Sequence, residues 1–228
     1  MESNVFISII CPVYNEERFI KLFLDSIVAQ DYDKNNMEIF IIDGMSKDRT
    51  RNIVESYAQN EPTIRLLDNL KGTVSPALNI GISRCRGEYI IRLDAHAIYP
   101  SNYFSTLIQY AEKIGADNIG GVVRTLPGNK SIKASAIANA LSHPFGMGNS
   151  YFRIGTSNIR KVDTVPFGCF RSEIFKKIGL FDVELIRNQD DEFNARILKH
   201  GGVIYIIPDL IIDYYARDTI YKIFKMFY

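Results

Sequence analysis

The 228 residues contain no tryptophan and only three cysteines, at positions 11, 85 and 169. The missing tryptophan excludes nothing. An odd, widely scattered set of cysteines is neither a disulfide framework nor a zinc motif, and it suits a reducing compartment. Neither sign of charge is in surplus: 27 basic residues stand against 26 acidic ones, leaving +1. With no long-range basic field, nucleic acid is not an expected partner, and any anion must be met by local groups. Long apolar runs are also lacking. The most apolar late segment, 203–212, is interrupted by Pro208 and Asp209. It is too short for a bilayer core of about 30 Å. The opening Met1-Glu2-Ser3-Asn4 has no basic stretch ahead of an apolar one and does not read as a signal peptide. A cytoplasmic setting is the expectation.

What remains is the composition of a globular domain, 46% hydrophobic and 23% charged. That length can bury a sizeable core as one domain. Apolar, β-branched runs predict strands at 5–11, 37–43, 63–67 and 87–94. Helical spacing predicts helices at 16–29, 48–59, 74–85 and 101–114, the last opened by a Ser101 cap. This βαβαβαβα order predicts an α/β fold with a mostly parallel central sheet, covered by helices on both faces. Beyond residue 115 the pattern loosens. A strand around 120–124 leaves a glycine-rich turn, and 125–164 is loop-like around a helix at 132–141. A strand at 165–171 is followed by a helix from Ser172. A helix at 189–200 and a strand at 203–207 complete the chain. One unit of residues 1–228 is expected, with halves 1–115 and 116–218 and an amphipathic helix at 219–228.

In open parallel sheets, ligands bind at the carboxyl ends of the strands. Three predicted strands end in polar turns: Cys11-Pro-Val-Tyr-Asn-Glu16, Asp43-Gly-Met-Ser-Lys-Asp48 and Asp94-Ala-His96. Asp43, closing a buried strand, either caps the following turn with Ser46 and Asp48 or accepts the imide N–H of a base. Asp94 and His96 point the same way on an extended segment. Together they could grip a divalent metal or a ribose hydroxyl. As a polar strand end they could equally satisfy only the backbone. Asn188-Gln-Asp-Asp-Glu-Phe-Asn-Ala-Arg196 opens a helix with three acids. The macrodipole accounts for acids there, and one of them could also serve as a general base. Neither GxGxxG nor GxxxxGK[ST] occurs, so the dehydrogenase and P-loop readings lose their support. Diphosphate charge would then fall to a metal.

These segments, in this order, resemble the family 2 glycosyltransferases, inverting enzymes of the GT-A fold that use nucleotide-diphosphate sugars. The resemblance runs from Ile9 to Asp213. Cys11–Glu16 matches the family's opening, and Ile41–Thr50 its aspartate-glycine-serine-aspartate-threonine stretch. Arg92-Leu-Asp-Ala-His96 stands in place of the DxD motif. Val165–Arg171 and Gly179-Leu-Phe-Asp182 are similar to its acceptor-side segment, and Gln189-Asp190 with Phe193, Asn194 and Arg196 to its "ED…R" helix. The wording is most similar to bacterial exopolysaccharide enzymes of the succinoglycan type.

The resemblance implies roles by position. Pro12, Val13, Tyr14 and Glu16 line the nucleotide, and Asp43 receives the base N–H. Asp94 sits by the ribose and the metal (Mn2+ or Mg2+), with His96 replacing the usual second acid as a metal ligand. Asp190 is the catalytic base, with the adjacent Asp191 as runner-up. UDP is the favoured carrier, and GDP stays open because guanine also offers N–H donors. The acceptor would be a glycan or lipid-linked glycan. Two other classes stand beside this reading. A non-catalytic sugar-nucleotide or glycan-binding module is compatible with the altered Asp-x-His and Gln-Asp pairs. A nucleotidyltransferase would carry a basic, glycine-rich first loop, and Cys11–Glu16 has neither glycine nor lysine. The aromatic and lysine-bearing run 219–228 suits either packing on the core or a membrane surface, there the cytoplasmic face of the inner membrane.

Overall fold

The computed structural model describes residues 5–217, 219–221 and 224. Strands β1 (Ile7–Val13), β2 (Met37–Asp43), β3 (Ile64–Asp68) and β4 (Tyr89–Arg92) alternate with α1 (Ile20–Val28), α2 (Thr50–Ala58) and α3 (Val74–Arg84). A two-residue strand β5 (Ala97–Ile98) and helix α4 (Tyr103–Ile114) follow. Then come β6 (Asn118–Leu126), α5 (Ile132–Ser142), the short α6 (Pro144–Met147) and α7 (Tyr151–Ile154), and β7 (Arg160–Lys161). The chain continues through β8 (Cys169–Arg171), α8 (Glu173–Ile178), α9 (Gln189–Lys199) and β9 (Ile204–Tyr215). All lie in one sheet, ordered β3-β2-β1-β4-β8-β6-β9-β5, with β7 on β9.

The first four strands pair in parallel, as do β6 and β9, while β8 runs antiparallel between β4 and β6. Both faces of β1 are buried, which is why it reads as a continuous apolar run. Ile7, Ile9 and Cys11 pack with Phe23 and Leu24 of α1 and Phe104 and Leu107 of α4. Ile10, on the other face, packs with Leu78 of α3 and Phe193 and Ile197 of α9. An aromatic cluster seats α9: the Phe193 ring lies 4.6 Å from Phe181, 5.0 Å from Phe175 and 5.6 Å from Phe170. The first turn of α9 is thereby anchored over the carboxyl ends of the parallel strands.

Several expectations need correction. Helix α4 has Asn102 at its N-cap, without a side-chain cap. The Ser101 carbonyl instead accepts the Asp31 N–H at 2.8 Å. The strand expected at 165–171 shrinks to β8, because Phe167 takes a left-handed φ of +51°. The glycines at 120 and 121 lie inside β6 rather than in a turn. The strand expected to stop at Ile207 runs on through Pro208 to Tyr215. Ile207 pairs with Gly121 and Ile211 with Val122, so residues 208–210 form a bulge. A bulge leaves residues outside the ladder, where proline is tolerated. Gly121 makes room for it, since a Cβ there would lie 2.2 Å from the Leu210 carbonyl oxygen. Gly121→Ala should therefore destabilise the fold by about 1–3 kcal/mol through overpacking. A thermal melt with an unchanged midpoint would refute this account of the bulge.

Of the run at 219–228, residues 222, 223 and 225–228 lie outside the described residues, as do Met1–Asn4. Ile220, Tyr221 and Phe224 are exposed. Among the described residues no helix is long and apolar enough to cross a membrane.

Candidate active site

The loops that follow β1 and β2 are knitted together. Asn15, at φ +52°, gives its N–H to Ser46 Oγ at 2.9 Å, and its Oδ1 accepts the Lys47 N–H at 2.8 Å. The N–H groups of Glu16 and Glu17 go to Thr50 Oγ1 at 2.7 Å and Asp48 Oδ2 at 3.1 Å. Ser46 and Asp48 thus serve the backbone. Asp43 is 1% exposed. Both its oxygens accept the Ser46 N–H at 3.2 Å, and Arg51 Nη1 stands 3.5 Å from Oδ2. Its neighbour Gly44, not Asp43, lines the adjoining cleft.

That cleft has a volume of about 730 Å³, within the range that takes a drug-sized ligand. Pro12, Val13, Tyr14 and Glu16 form one wall, and Asp94, His96, Asp190 and Asp191 also line it. Asp94 and Asp190 meet there on one guanidinium, whereas Asp43 stands outside the lining. Arg92, at the end of β4, places Nη2 3.1 Å from Asp94 Oδ1 and 3.5 Å from Asp190 Oδ2. Burial works against the Arg92 charge, but Asp190 and Asp94 outweigh it and hold its pKa above the ordinary value. Arg92 and Asp94 share one side of an extended segment through the i, i+2 rule. That spacing is the sequence signal by which Arg92 could have been assigned a role.

Asp190 sits in the first turn of α9. Burial pushes its carboxyl above the usual range; Arg92 opposes this, and Asp94 and Asp191 add to it. Its Oδ1 is buried with no hydrogen-bond partner among the described residues. Asp191 differs: its Oδ1 accepts from Thr164 Oγ1 at 3.0 Å. Thr164 accepts from Asn194 Nδ2 at 2.9 Å, and Asn194 Oδ1 accepts from Asn118 Nδ2 at 2.8 Å. Asn194 therefore belongs to a buried chain that ties α9 to β6. Arg196 is structural as well. It pairs with Glu192 and donates to the carbonyls of Ile178 and Leu180, both at 2.8 Å.

His96 lies between Glu16 and Tyr214, with Nδ1 3.3 Å from Glu16 Oε1 and Nε2 3.3 Å from the Tyr214 hydroxyl. This suits a ring that donates at Nδ1 and accepts at Nε2. Cys11 lies behind the site, and burial pushes its thiol well up, so it is an inert packing residue. Arg153, Arg187, Tyr214 and Arg217 also line the cleft. No motif announces them; they come from the irregular half, from the part of β9 beyond Pro208 and from the residues just after it.

Among the described residues no three His, Cys, Asp or Glu side chains form a ready metal cluster. Asp94 and His96 nevertheless stand on the cleft wall as a carboxylate and an imidazole, the imidazole able to take a metal at Nε2 once the Tyr214 hydroxyl is displaced from it. Two protein ligands completed by substrate phosphate oxygens suit Mg2+ or Mn2+.

An α/β sheet with such a cleft at its strand ends is the architecture of the GT-A glycosyltransferases. The chain superposes on the TarS fragment of S. aureus solved with UDP-GlcNAc at a TM-score of 0.70 and 18% identity, covering 94% of this chain and 59% of that one. It superposes on the mannosyltransferase PcManGT of Pyrobaculum calidifontis, solved with GDP-Man and Mn2+, at 0.75 and 19%, covering 97% and 60%. Residues 8–179 match the profile of glycosyl transferase family 2, and the chain belongs to that family. It is 30% identical over 228 residues to a dolichyl N-acetyl-α-D-glucosaminyl phosphate 3-β-D-2,3-diacetamido-2,3-dideoxy-β-D-glucuronosyltransferase of Methanococcus voltae, covering 96% of this chain and 70% of the relative. It is 29% identical over 222 residues to the succinoglycan biosynthesis protein ExoA of Rhizobium meliloti, covering 96% and 66%. The chain thus spans about two thirds of the length of these relatives.

Proposed function

We propose that this glycosyltransferase moves a sugar, with inversion, from a nucleoside diphosphate to a hydroxyl of a glycan or lipid-linked glycan. The observation that carries the reading is the unpartnered carboxylate oxygen of Asp190, held in one cleft with Asp94 and the wall of Pro12, Val13, Tyr14 and Glu16. Asp190 takes the proton of the acceptor hydroxyl as its oxygen attacks the anomeric carbon on the face opposite the leaving diphosphate. Arg92 keeps that carboxylate ionised and aimed. The reacting sugar gains oxocarbenium character and the diphosphate gains charge, as in other inverting glycosyl displacements. A divalent metal, held by Asp94 and His96, would supply Lewis-acid stabilisation of the departing charge.

Asp43 is assigned the base N–H. Its carboxylate accepts the Ser46 N–H and faces Arg51, and it adjoins the cleft through Gly44, the next residue. Manganese fits the same scheme: both PcManGT and GalNAc-T7, a further GT-A-like match at TM-score 0.73 and 15% identity, were solved with Mn2+. Calorimetry with UDP and GDP, with and without manganese, tests the scheme. Tighter binding of UDP than GDP, strengthened by manganese, is expected. Equal weak binding of both would remove the Asp43 assignment. No binding of either, together with no nucleotide release from any donor, would remove the function.

A further inference from the structure

Each acid in the cleft is already engaged. Arg92 faces Asp94 and Asp190, His96 faces Glu16, and Thr164 faces Asp191. Arg153 has no such counterpart: among the described residues no salt bridge reaches it. Its Nε and Nη1 are buried without hydrogen-bond partners. Its guanidinium lies over two rings, 5.3 Å from the Phe152 centroid and 5.6 Å from that of Tyr214. Burial pushes its pKa below the ordinary value, with Tyr214 opposing. A desolvated guanidinium with idle donors is costly unless an anion satisfies it.

The place of Arg153 points to which anion. Tyr214 neighbours both Arg153 and His96: the His96 and Tyr214 rings stand 5.0 Å apart, and Nε2 of His96 lies 3.3 Å from the Tyr214 hydroxyl. Arg153 therefore flanks the Asp94–His96 pair across a single ring. At that pair an imidazole stands where the resemblance expects a second acid, so the cleft wall there has one carboxylate fewer to set against the Arg153 charge.

We propose that Arg153 binds a phosphoryl group of the donor's diphosphate, so that a fixed guanidinium shares with any metal at Asp94 and His96 the charge of the leaving group. This rests on the nucleotide-sugar reading above. Guanidinium meets phosphate with donors in a fixed planar geometry, where an ammonium offers only a point charge. A cation fixed before the reaction also needs no reorganisation as charge develops.

The test is equilibrium binding of UDP to the full chain, in excess EDTA and in manganese, for the wild type, Arg153→Met and Arg153→Lys. Wild type is expected to bind UDP measurably in EDTA. Arg153→Met should weaken that binding about 10–100-fold, the range of a charge-assisted hydrogen bond. The manganese-induced gain should become larger in Arg153→Met than in wild type, an effect that a merely structural role would not produce. Arg153→Lys, keeping charge without that geometry, should fall between. It also carries the comparison if thermal melts show Arg153→Met to be unfolded. A second arm titrates N-acetylglucosamine 1-phosphate onto UDP-saturated protein. If Arg153→Met weakens that ligand and leaves UDP unchanged, the phosphate belongs to the acceptor and the donor assignment is overturned. UDP affinity unchanged in EDTA overturns the proposal while the function stands. Failure of wild type to bind UDP or GDP under either condition overturns both.

Discussion

Asp190→Asn is expected to lower turnover about 10²–10⁴-fold, the contribution of a positioned general base, while leaving UDP affinity near that of wild type. Asparagine keeps the shape and the contact with Arg92 but cannot take a proton. Asp191→Asn should be mild by comparison. The Asp191 carboxylate is committed to the Thr164 hydroxyl, whereas Asp190 Oδ1 has no partner among the described residues. The two variants therefore separate the neighbours that the sequence left side by side. The pH profile adds a second readout. A base acts in its ionised form, so activity falls as pH drops through its pKa. Burial raises that pKa in Asp190. The acid limb of kcat should then lie above the value of about 4 for an ordinary aspartate. Near-normal transfer by Asp190→Asn, or an equal collapse in Asp191→Asn, would move the base elsewhere.

The first half of the fold was legible because β1, β2 and β4 are buried on both faces. Such strands show as unbroken apolar runs, and β2 falls on the expected residues 37–43. The rule failed where backbone exceptions govern. Proline normally stops a strand, yet Pro208 lies in a bulge that Gly121 accommodates, so two thirds of β9 and all of β5, which pairs with that part, carry no strand signal. Tyr214 lies in that hidden stretch. The site followed the same division. The acids at strand and helix ends were legible as chemistry. Arg153 was not, because an isolated arginine in a polar stretch carries no period and no motif. Asn194 and Arg196 were read with the base, but their partners across α9 give them structural duties. Only the fold could assign those.

Arg92→Met is the second large effect, and it should appear in both stability and pH dependence. Arg92 is 6% exposed at its side chain and stands between two carboxylates. Removing one partner of a buried pair costs roughly 3–5 kcal/mol. Asp94 and Asp190 keep 21% and 26% exposure, so the loss should sit at the low end of that range. The sign of the pH effect follows from the proton count. Without Arg92 the Asp190 pKa rises further, since Arg92 is what opposes the burial shift. A carboxyl whose folded pKa exceeds its unfolded one binds more protons when folded, so it destabilises the fold at high pH and does so less as pH falls. The gap between Arg92→Met and wild type should therefore be widest near neutrality and narrow on acidification. The acid limb of kcat should move to higher pH over the same range. Arg92→Met/Asp190→Asn should recover part of the lost stability, because the double variant no longer buries an uncompensated charge. Additive losses in that cycle, with an unmoved pH profile, would mean that Arg92 serves the β4 end alone and that Asp190 owes its ionisation to something else.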